Sequence, residues 1–324
     1  MQKILVTGAA GFIGFSLCKE LIQLGYDVFG LDNLNQYYDI ELKKNRLKYL
    51  DEFKKDCVGS FTFHQFDLRN SPGEMIDLLP YYFTNIYHFA AQAGVRFSIT
   101  NPDEYFSNNV AGTYNLLEYI KKTKNGKLVF ASTSSVYGDS KTYPQSESLA
   151  LNPIQFYAST KAIGEEMCKM YVKIYGLEVC VFRFFTVYGP WGRPDMALFN
   201  FTKNISANKP IDIFNQGLHH RSFTYISDVT FYLVKYLEIN LPNFSVFNLG
   251  NPQSVELKLL VDLIEMNLGV AAIKNNKSLQ MGDVVRTHAD ITLLNSFFGR
   301  HEFTNLETGV KNFCDWFKSY SNIN

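Results

Sequence analysis

The stretch Lys3-Ile4-Leu5-Val6-Thr7-Gly8-Ala9-Ala10-Gly11-Phe12-Ile13-Gly14 decides the fold. A short apolar run leads into three glycines at a spacing of three. A helical pattern over Phe12–Leu24 and a second apolar run at Asp27–Leu31 follow, which predicts strand, turn, helix and strand. Glycines in that turn allow a tight bend, close approach of backbone to a pyrophosphate, and helix–sheet packing. The helix start then offers N–H groups and the positive end of its dipole to the phosphates. Asp32 closes the second strand, roughly 20 residues on, where a carboxylate accepts from ribose hydroxyls and repels a 2′-phosphate. NAD rather than NADP is the expected cofactor; the competing reading of Asp32 is a solvated turn residue ahead of Asn33.

The same rhythm continues outward. Apolar runs recur at Phe61–Phe66, Ile86–Ala90, Leu128–Ala131 and Val179–Phe184, with helical stretches at Glu41–Lys55, Asp103–Lys122 and Ile154–Tyr175. Alternating strands and helices predict an α/β fold, a doubly wound parallel sheet of the Rossmann type. After Phe185 turn residues cluster at Gly189-Pro190-Trp191-Gly192-Arg193-Pro194 and the elements shorten. A cofactor-binding domain over 1–185 and a smaller C-terminal α/β substrate domain over 186–324 are expected. Residues 227–250, which contain the strand candidate Val246–Leu249, return to the first domain. Asp67, at the end of the third strand, is placed to reach the adenine or else to start a helix. Ala90-Ala91 end the fourth, where small side chains let a dinucleotide pass.

Composition bounds the function. With 324 residues and 46% hydrophobic content the chain can bury a full core. Lys+Arg 31 against Asp+Glu 31 gives no net charge, which argues against a nucleic-acid partner bound through a basic face. Five scattered cysteines without a Cys-x-x-Cys, two of them (Cys168 and Cys180) in apolar contexts, point to a reduced, cytoplasmic protein. The six histidines show no metal-ligand spacing, so no metal is expected. Met1-Gln2-Lys3 before Ile4–Leu17 imitates a signal peptide, but the three glycines interrupt it and no small-x-small cleavage site follows. No apolar segment reaches the ~20 residues of a membrane span.

Tyr157 and Lys161 stand at i and i+4 in a helical stretch, so both side chains leave one face. A phenol with pKa ~10 is a poor base at neutral pH. A nearby ammonium and an oxidised nicotinamide favour the phenolate, which then takes a proton while hydride leaves the same carbon. A second Tyr-x-x-x-Lys, Tyr137 and Lys141, spans Gly138-Asp139-Ser140 and reads as a loop whose side chains need not converge. Thr133, in Ala131-Ser132-Thr133-Ser134-Ser135, lies at the carboxyl end of a parallel strand, where ligands gather in such sheets. Its hydroxyl is suited to the reacting oxygen; the plainer alternative is a turn satisfying its own backbone.

These motifs resemble an extended short-chain dehydrogenase/reductase over nearly the whole chain, and within that group a nucleotide-sugar epimerase. Three segments carry a closer resemblance to UDP-glucuronate 4-epimerases: Leu31-Asp32-Asn33-Leu34-Asn35-Gln36-Tyr37-Tyr38-Asp39, Ala90-Ala91-Gln92-Ala93-Gly94-Val95-Arg96, and Arg183 to Met196 through Thr186-Val187-Tyr188-Gly189-Pro190-Trp191-Gly192-Arg193-Pro194-Asp195. The resemblance implies a 4-epimerase of a UDP-sugar, UDP-glucuronate to UDP-galacturonate, with Thr133, Tyr157 and Lys161 as the catalytic group. Tightly held NAD would be met by Gly8, Gly11, Phe12, Ile13, Gly14, Asp32 and Asn33, then by Asp67, Leu68, Ala90, Ala91, Gln92 and Asn109, and by Tyr157 and Lys161. Thr186 and Arg193 are implied for the sugar carboxylate, Arg221 for the diphosphate, and Arg96, Ser134 and Asp283 (after Gly282) for the rest of the substrate. Ser222 and Ser227 depart from the family pattern, which has aspartates there, and His219-His220 precede Arg221.

Sugar 4,6-dehydratases and UDP-glucuronate decarboxylases of this fold carry carboxylates after the catalytic Thr, and Ser134-Ser135 supply none; without an acid there, loss of water has no proton donor. UDP-glucose or UDP-N-acetylglucosamine 4-epimerase is the alternative within the class, and a silent NAD-binding sensor the alternative outside it. The resemblance also implies a homodimer through the helices Asp103–Lys122 and Ile154–Tyr175. Tyr114, Leu117, Tyr119, Met167, Met170 and Tyr171 give them more apolar surface than one core face requires.

Overall fold

Lys3–Thr7 (β1) and Asp27–Asp32 (β2) pair in parallel, with Ile4 opposite Val28 and Thr7 opposite Leu31. Ser60–Gln65 (β3) pairs with β2, and Asn85–His88 (β4) with β1; Lys127–Thr133 (β5) joins β4 and Val179–Phe184 (β6) joins β5, all parallel. With the Phe244–Leu249 strand beside β6 the sheet has seven strands, in the order Phe244–Leu249, β6, β5, β4, β1, β2, β3. The fold is Rossmann-type α/β, seen in a computed structural model that describes residues 2–279 and 283–321. Strands buried on both faces need continuous apolar runs, and β4 and β6 are buried at every position. All of these pairings from β1 to β6 are parallel, so their carboxyl ends lie on one edge, where the order reverses between β1 and β4.

The helices begin and stop for local reasons. Ser71 and Glu74 form a capping box at Pro72–Leu78, satisfying two end donors reciprocally. The long helix Phe156–Tyr175 ends at Gly176, whose φ of 72° suits a residue without Cβ. Pro102–Tyr105 passes through a π-helical stretch, Phe106–Ala111, into Gly112–Thr123. Leu5, Ile86, Leu116, Leu117, Leu128, Phe130 and Cys168 meet in the core beneath these helices. Each such apolar side chain contributes about 1.5–3 kcal/mol of burial.

Two compact units divide the chain: 1–138 with 150–184 and 230–247, and 139–149 with 185–229 and 248–324. The segment Asp139–Leu149, read from sequence as part of the first domain, clusters with the second. Its Gln145 exchanges backbone hydrogen bonds with His288 (2.7 Å) and Asp290 (2.9 Å), and the Glu147 carboxylate accepts from the Asn248 N–H at 2.7 Å. Within this second unit Thr186–Tyr188 pairs with Phe223–Tyr225, His220–Arg221 with Val255–Glu256, and Ile211–Phe214 with Lys274–Lys277. Among the described residues no helix is long and apolar enough to cross a membrane.

Candidate active site

The glycine turn is shaped by three close approaches. Gly8, at φ 74°, donates to the Leu31 carbonyl at 2.7 Å, and a Cβ there would come within 2.7 Å of the Ala90 backbone nitrogen. A Cβ at Gly14 would run into the Gly8 carbonyl, and Gly11 closes the turn by donating to that same carbonyl at 2.9 Å. Gly11 caps the helix Phe12–Gln23 with no side chain, and the first turn holds no acidic residue. First-turn N–H groups are therefore left to an anion, as a pyrophosphate requires. Phe12 is buried and Ile13 half-buried behind the turn.

Asp32 is buried at the end of β2, accepting from the N–H groups of Ala10 (3.2 Å) and Leu34 (2.8 Å). Two buried cations that sequence reading missed stand beside it. The Lys43 ammonium lies 3.6 Å from the Asp32 carboxylate and donates to Asn35 at 2.8 Å; the Arg46 guanidinium donates to the Ala10 carbonyl at 2.9 Å. Their signal was present: Lys43 and Arg46 sit at i and i+3 on the same face as the buried Leu42 and Leu50. Asn33 donates to Asp67 at 3.0 Å, and Arg69 grips the same carboxylate at 2.7–3.1 Å. Burial alone would raise the Asp67 carboxyl, but these hydrogen bonds outweigh it and hold it below its ordinary value. Leu68 belongs to the core.

At the end of β4, the Ala90 N–H donates to Thr7 Oγ1, which bonds His88 Nδ1 at 2.8 Å; His88 Nε2 meets Thr113 at 3.0 Å. Burial, aided by the Lys161 charge, pushes His88 down to about 3, so the ring stays neutral. Ala91 follows, half-buried. Asn109, in the π-helical stretch, bonds both the N–H (2.7 Å) and the carbonyl (3.0 Å) of Gln92 and donates to Thr160 at 3.0 Å. It thus ties the loop after β4 to the helix of Tyr157, a use of π-helical geometry often found at functional sites. Arg96, exposed, precedes the short helix Phe97–Thr100.

Thr133 ends β5 and accepts from the Ser135 N–H at 3.2 Å; Ser134 is buried beside it. Tyr157 and Lys161 rise from one face of Phe156–Tyr175. The Tyr157 ring stands edge-on to Tyr105, centroids 6.1 Å apart. The Lys161 ammonium is buried 4.9 Å above the Phe130 ring, and burial lowers it from 10.5 to about 8 despite the opposing charge of Glu165. Tyr137 instead accepts from Arg183 at 3.0 Å while Lys141 pairs with Asp139 in an exposed loop, so the second Tyr-x-x-x-Lys does not converge. Behind the helix Phe156–Tyr175 a buried network missing from the sequence reading joins Ser132, Glu165, Arg183 and Tyr137.

In the second unit, Thr186 starts a strand, and Arg193 is engaged by Asp195 through both Nε (3.0 Å) and an NH2 contact. Arg221 donates to the His220 (2.9 Å) and Val285 (3.1 Å) carbonyls, and burial lowers it to about 10 although Asp283 and Tyr143 oppose that. Gly282 lies outside the described residues. Ser222 accepts from the Ala289 N–H at 3.1 Å, so the hydroxyl serves a backbone donor at one departure from the family pattern.

Residues 4–250 match the NAD dependent epimerase/dehydratase family. UDP-glucuronate 4-epimerase 1 of Arabidopsis thaliana is 41% identical over 99% of this chain and 78% of its own length. The UDP-glucuronic acid 4-epimerase of Bacillus cereus, solved with UDP-glucuronic acid and NAD, superposes with a TM-score of 0.90 at 34% identity, covering 98% of this chain and 100% of that one. The UDP-glucose 4-epimerase of Thermotoga maritima, solved with UDP-glucose, gives 0.88 at 27% identity, covering 99% and 100%. The chain belongs to the NAD dependent epimerase/dehydratase family.

Proposed function

We propose that this protein is an NAD-dependent isomerase that interconverts UDP-glucuronate and UDP-galacturonate at C4. The observation that carries the reading is a buried Lys161 one helical turn from Tyr157, beside the strand end bearing Thr133, in the unit that holds the glycine cradle. The cradle fits a dinucleotide: Gly8 and Gly14 leave room where any Cβ would collide, and Asp32 stands where a ribose hydroxyl donates. Bound there, NAD would supply a hydride acceptor and then a hydride donor at C4 of the sugar, with no net redox change.

Tyr157, as phenolate, takes the proton of the C4 hydroxyl as the C–H bond breaks, and gives it back when the opposite face is reduced. Lys161 holds the phenolate by its charge and binds the nicotinamide ribose, while Thr133 shares a hydrogen bond with the reacting oxygen. Thr186 and Arg193 take the sugar carboxylate and Arg221 the diphosphate, with Arg96, Ser134 and Asp283 along the substrate; a guanidinium suits both anions because it donates in pairs.

One observation favours a broader substrate range. Arg193 already meets Asp195, so its charge is balanced without a sugar carboxylate. Comparing kcat/KM for UDP-glucuronate, UDP-glucose and UDP-N-acetylglucosamine tests this. A preference for UDP-glucuronate supports the proposal; no turnover of any of the three returns the protein to the sensor class.

A homodimer and a cytoplasmic location complete the proposal. Phe106, Tyr114, Ile163, Met170, Ile174 and Tyr175 are exposed on Phe106–Thr123 and Phe156–Tyr175, the surface expected of a helical interface. Leu117 and Tyr119, expected there from sequence, are instead fully buried, Tyr119 bonding the Leu79 carbonyl at 3.1 Å. Five free cysteines suit a reducing compartment. Light scattering at micromolar concentration decides the assembly: a monomeric mass with full activity would remove the dimer.

A further inference from the structure

Thr186 and Arg193, proposed above for the sugar carboxylate, stand at the two ends of one short segment. That segment packs along a single helix, Leu306–Ser321. Tyr188 lies against Gly309, where any Cβ would run into its hydroxyl, and a Cβ on Gly192 would stand 3.7 Å from the Phe313 ring. Trp191 completes the series, its ring centroid 5.4 Å from that of Trp316 and 5.6 Å from that of Tyr320. Trp316 and Tyr320 are themselves stacked at 5.1 Å, one helical turn apart, and Phe199 backs Trp316 at 6.0 Å.

Trp191 holds φ at 64°, the left-handed region, in a turn closed by the Gly192 N–H donating to the Gly189 carbonyl at 3.0 Å. That backbone is strained for a bulky side chain and persists only where the surroundings over-determine it; such strain gathers at ligand clamps. Here the surroundings are rings, in the tilted and edge-on arrangements that aromatic pairs favour. Two residues on, Asp195 engages the Arg193 guanidinium through Nε at 3.0 Å and through NH2, which fixes the plane of the fork. A fork serves a carboxylate only when it is aimed in that plane. We infer that Trp191, clamped by Trp316 and Tyr320, is a positioning residue that aims Arg193 at the sugar carboxylate. The helix Leu306–Ser321 thereby sets the preference for a uronic acid through Trp191. The inference rests on the UDP-glucuronate reading above and adds a supporting stack to it.

Steady-state kinetics of the full-length NAD-bound protein, with UDP as a competitive inhibitor, is the test. A carboxylate contact made equally in the ground and transition states raises KM when lost and spares kcat. Trp316→Leu is expected to raise KM for UDP-glucuronate by about 3- to 10-fold, with kcat and the UDP inhibition constant within about twofold. Trp316→Phe, which keeps a ring in place, should show a smaller rise. Trp191→Gly, which suits the backbone but loses the ring, should match Trp316→Leu. KM unchanged in Trp316→Leu and Trp191→Gly but raised in Arg193→Gln would overturn the inference and leave the function standing. Equal losses of UDP-glucuronate and UDP would overturn it too, because the damage would then not be to a carboxylate contact. KM unchanged in Arg193→Gln would sink the carboxylate reading itself, and the inference with it.

Discussion

The Glu165 carboxylate and the Arg183 guanidinium meet edge to edge inside the first unit, Oε1 to Nε at 3.0 Å and Oε2 to NH2 at 2.7 Å. Glu165 lies one turn beyond Lys161 on the helix Phe156–Tyr175, and Arg183 lies on β6. Ser132, next to Thr133 on β5, donates to the same carboxylate, and Tyr137 accepts from the same guanidinium. The pair therefore pins the helix of Tyr157 and Lys161 to β6, and the Ser132 hydrogen bond ties it to β5, the strand of Thr133.

Breaking that pair leaves one buried charge uncompensated. Glu165→Gln and Arg183→Met are each expected to destabilise the protein by about 3–5 kcal/mol, whereas an apolar replacement of both should cost far less. Chemical denaturation of the three variants checks this. A loss in the double variant equal to the sum of the two single losses would mean that the pair is not coupled.

Tyr157→Phe removes the proposed proton acceptor while keeping the ring against Tyr105. Turnover should fall by about 10²- to 10⁴-fold, the usual weight of a positioned acid or base, with melting temperature and NAD content unchanged. Turnover at the unmodified rate would take Tyr157 out of the chemistry.

Lys161 gives opposite signs for activity and stability. Burial lowers it from 10.5 to about 8, so the ammonium proposed to hold the phenolate fades above about pH 8, and kcat should decline there. The unfolded chain keeps its proton up to the ordinary value of 10.5, so this residue's contribution to stability grows as pH rises from about 8 to 10.5. Lys161→Met should abolish both trends in pH-rate and pH-melting profiles.

Gly14→Ala places a methyl against the Gly8 carbonyl, and it should lower the NAD that copurifies with the protein. Gly73→Ala is the matched control: its Cβ would find only the Ser71 hydroxyl, at 3.7 Å, in the first turn of Pro72–Leu78. That change should leave stability unchanged or raise it by up to about 1 kcal/mol, and leave NAD untouched. Equal NAD content in both variants would contradict the packing role of Gly14.

What was legible in the sequence is what is periodic or local. Val179–Phe184 emerges with its bounds unchanged, because a strand buried on both faces is an unbroken apolar run. The glycine turn and the Tyr157–Lys161 face are equally local. Glu165–Arg183 is not, since a helix and a strand bring the two together and neither residue marks its partner. Asp139–Leu149 changes unit for the same reason: it carries no regular element of its own, and Gln145 finds its partners at His288 and Asp290. Tyr119 reads as surplus apolar surface until the Leu79 carbonyl is placed beside it.

The central claim is that hydride leaves C4 and returns to C4 within one binding event. Incubating the purified protein with UDP-glucuronate deuterated at C4, in excess unlabelled NAD and NADH, tests it by NMR of the recovered nucleotide sugars. UDP-galacturonate should appear with the deuterium still on C4 and no net NADH formed. Product that has lost its label to solvent or to the free cofactor pool, or no product at all, would contradict it.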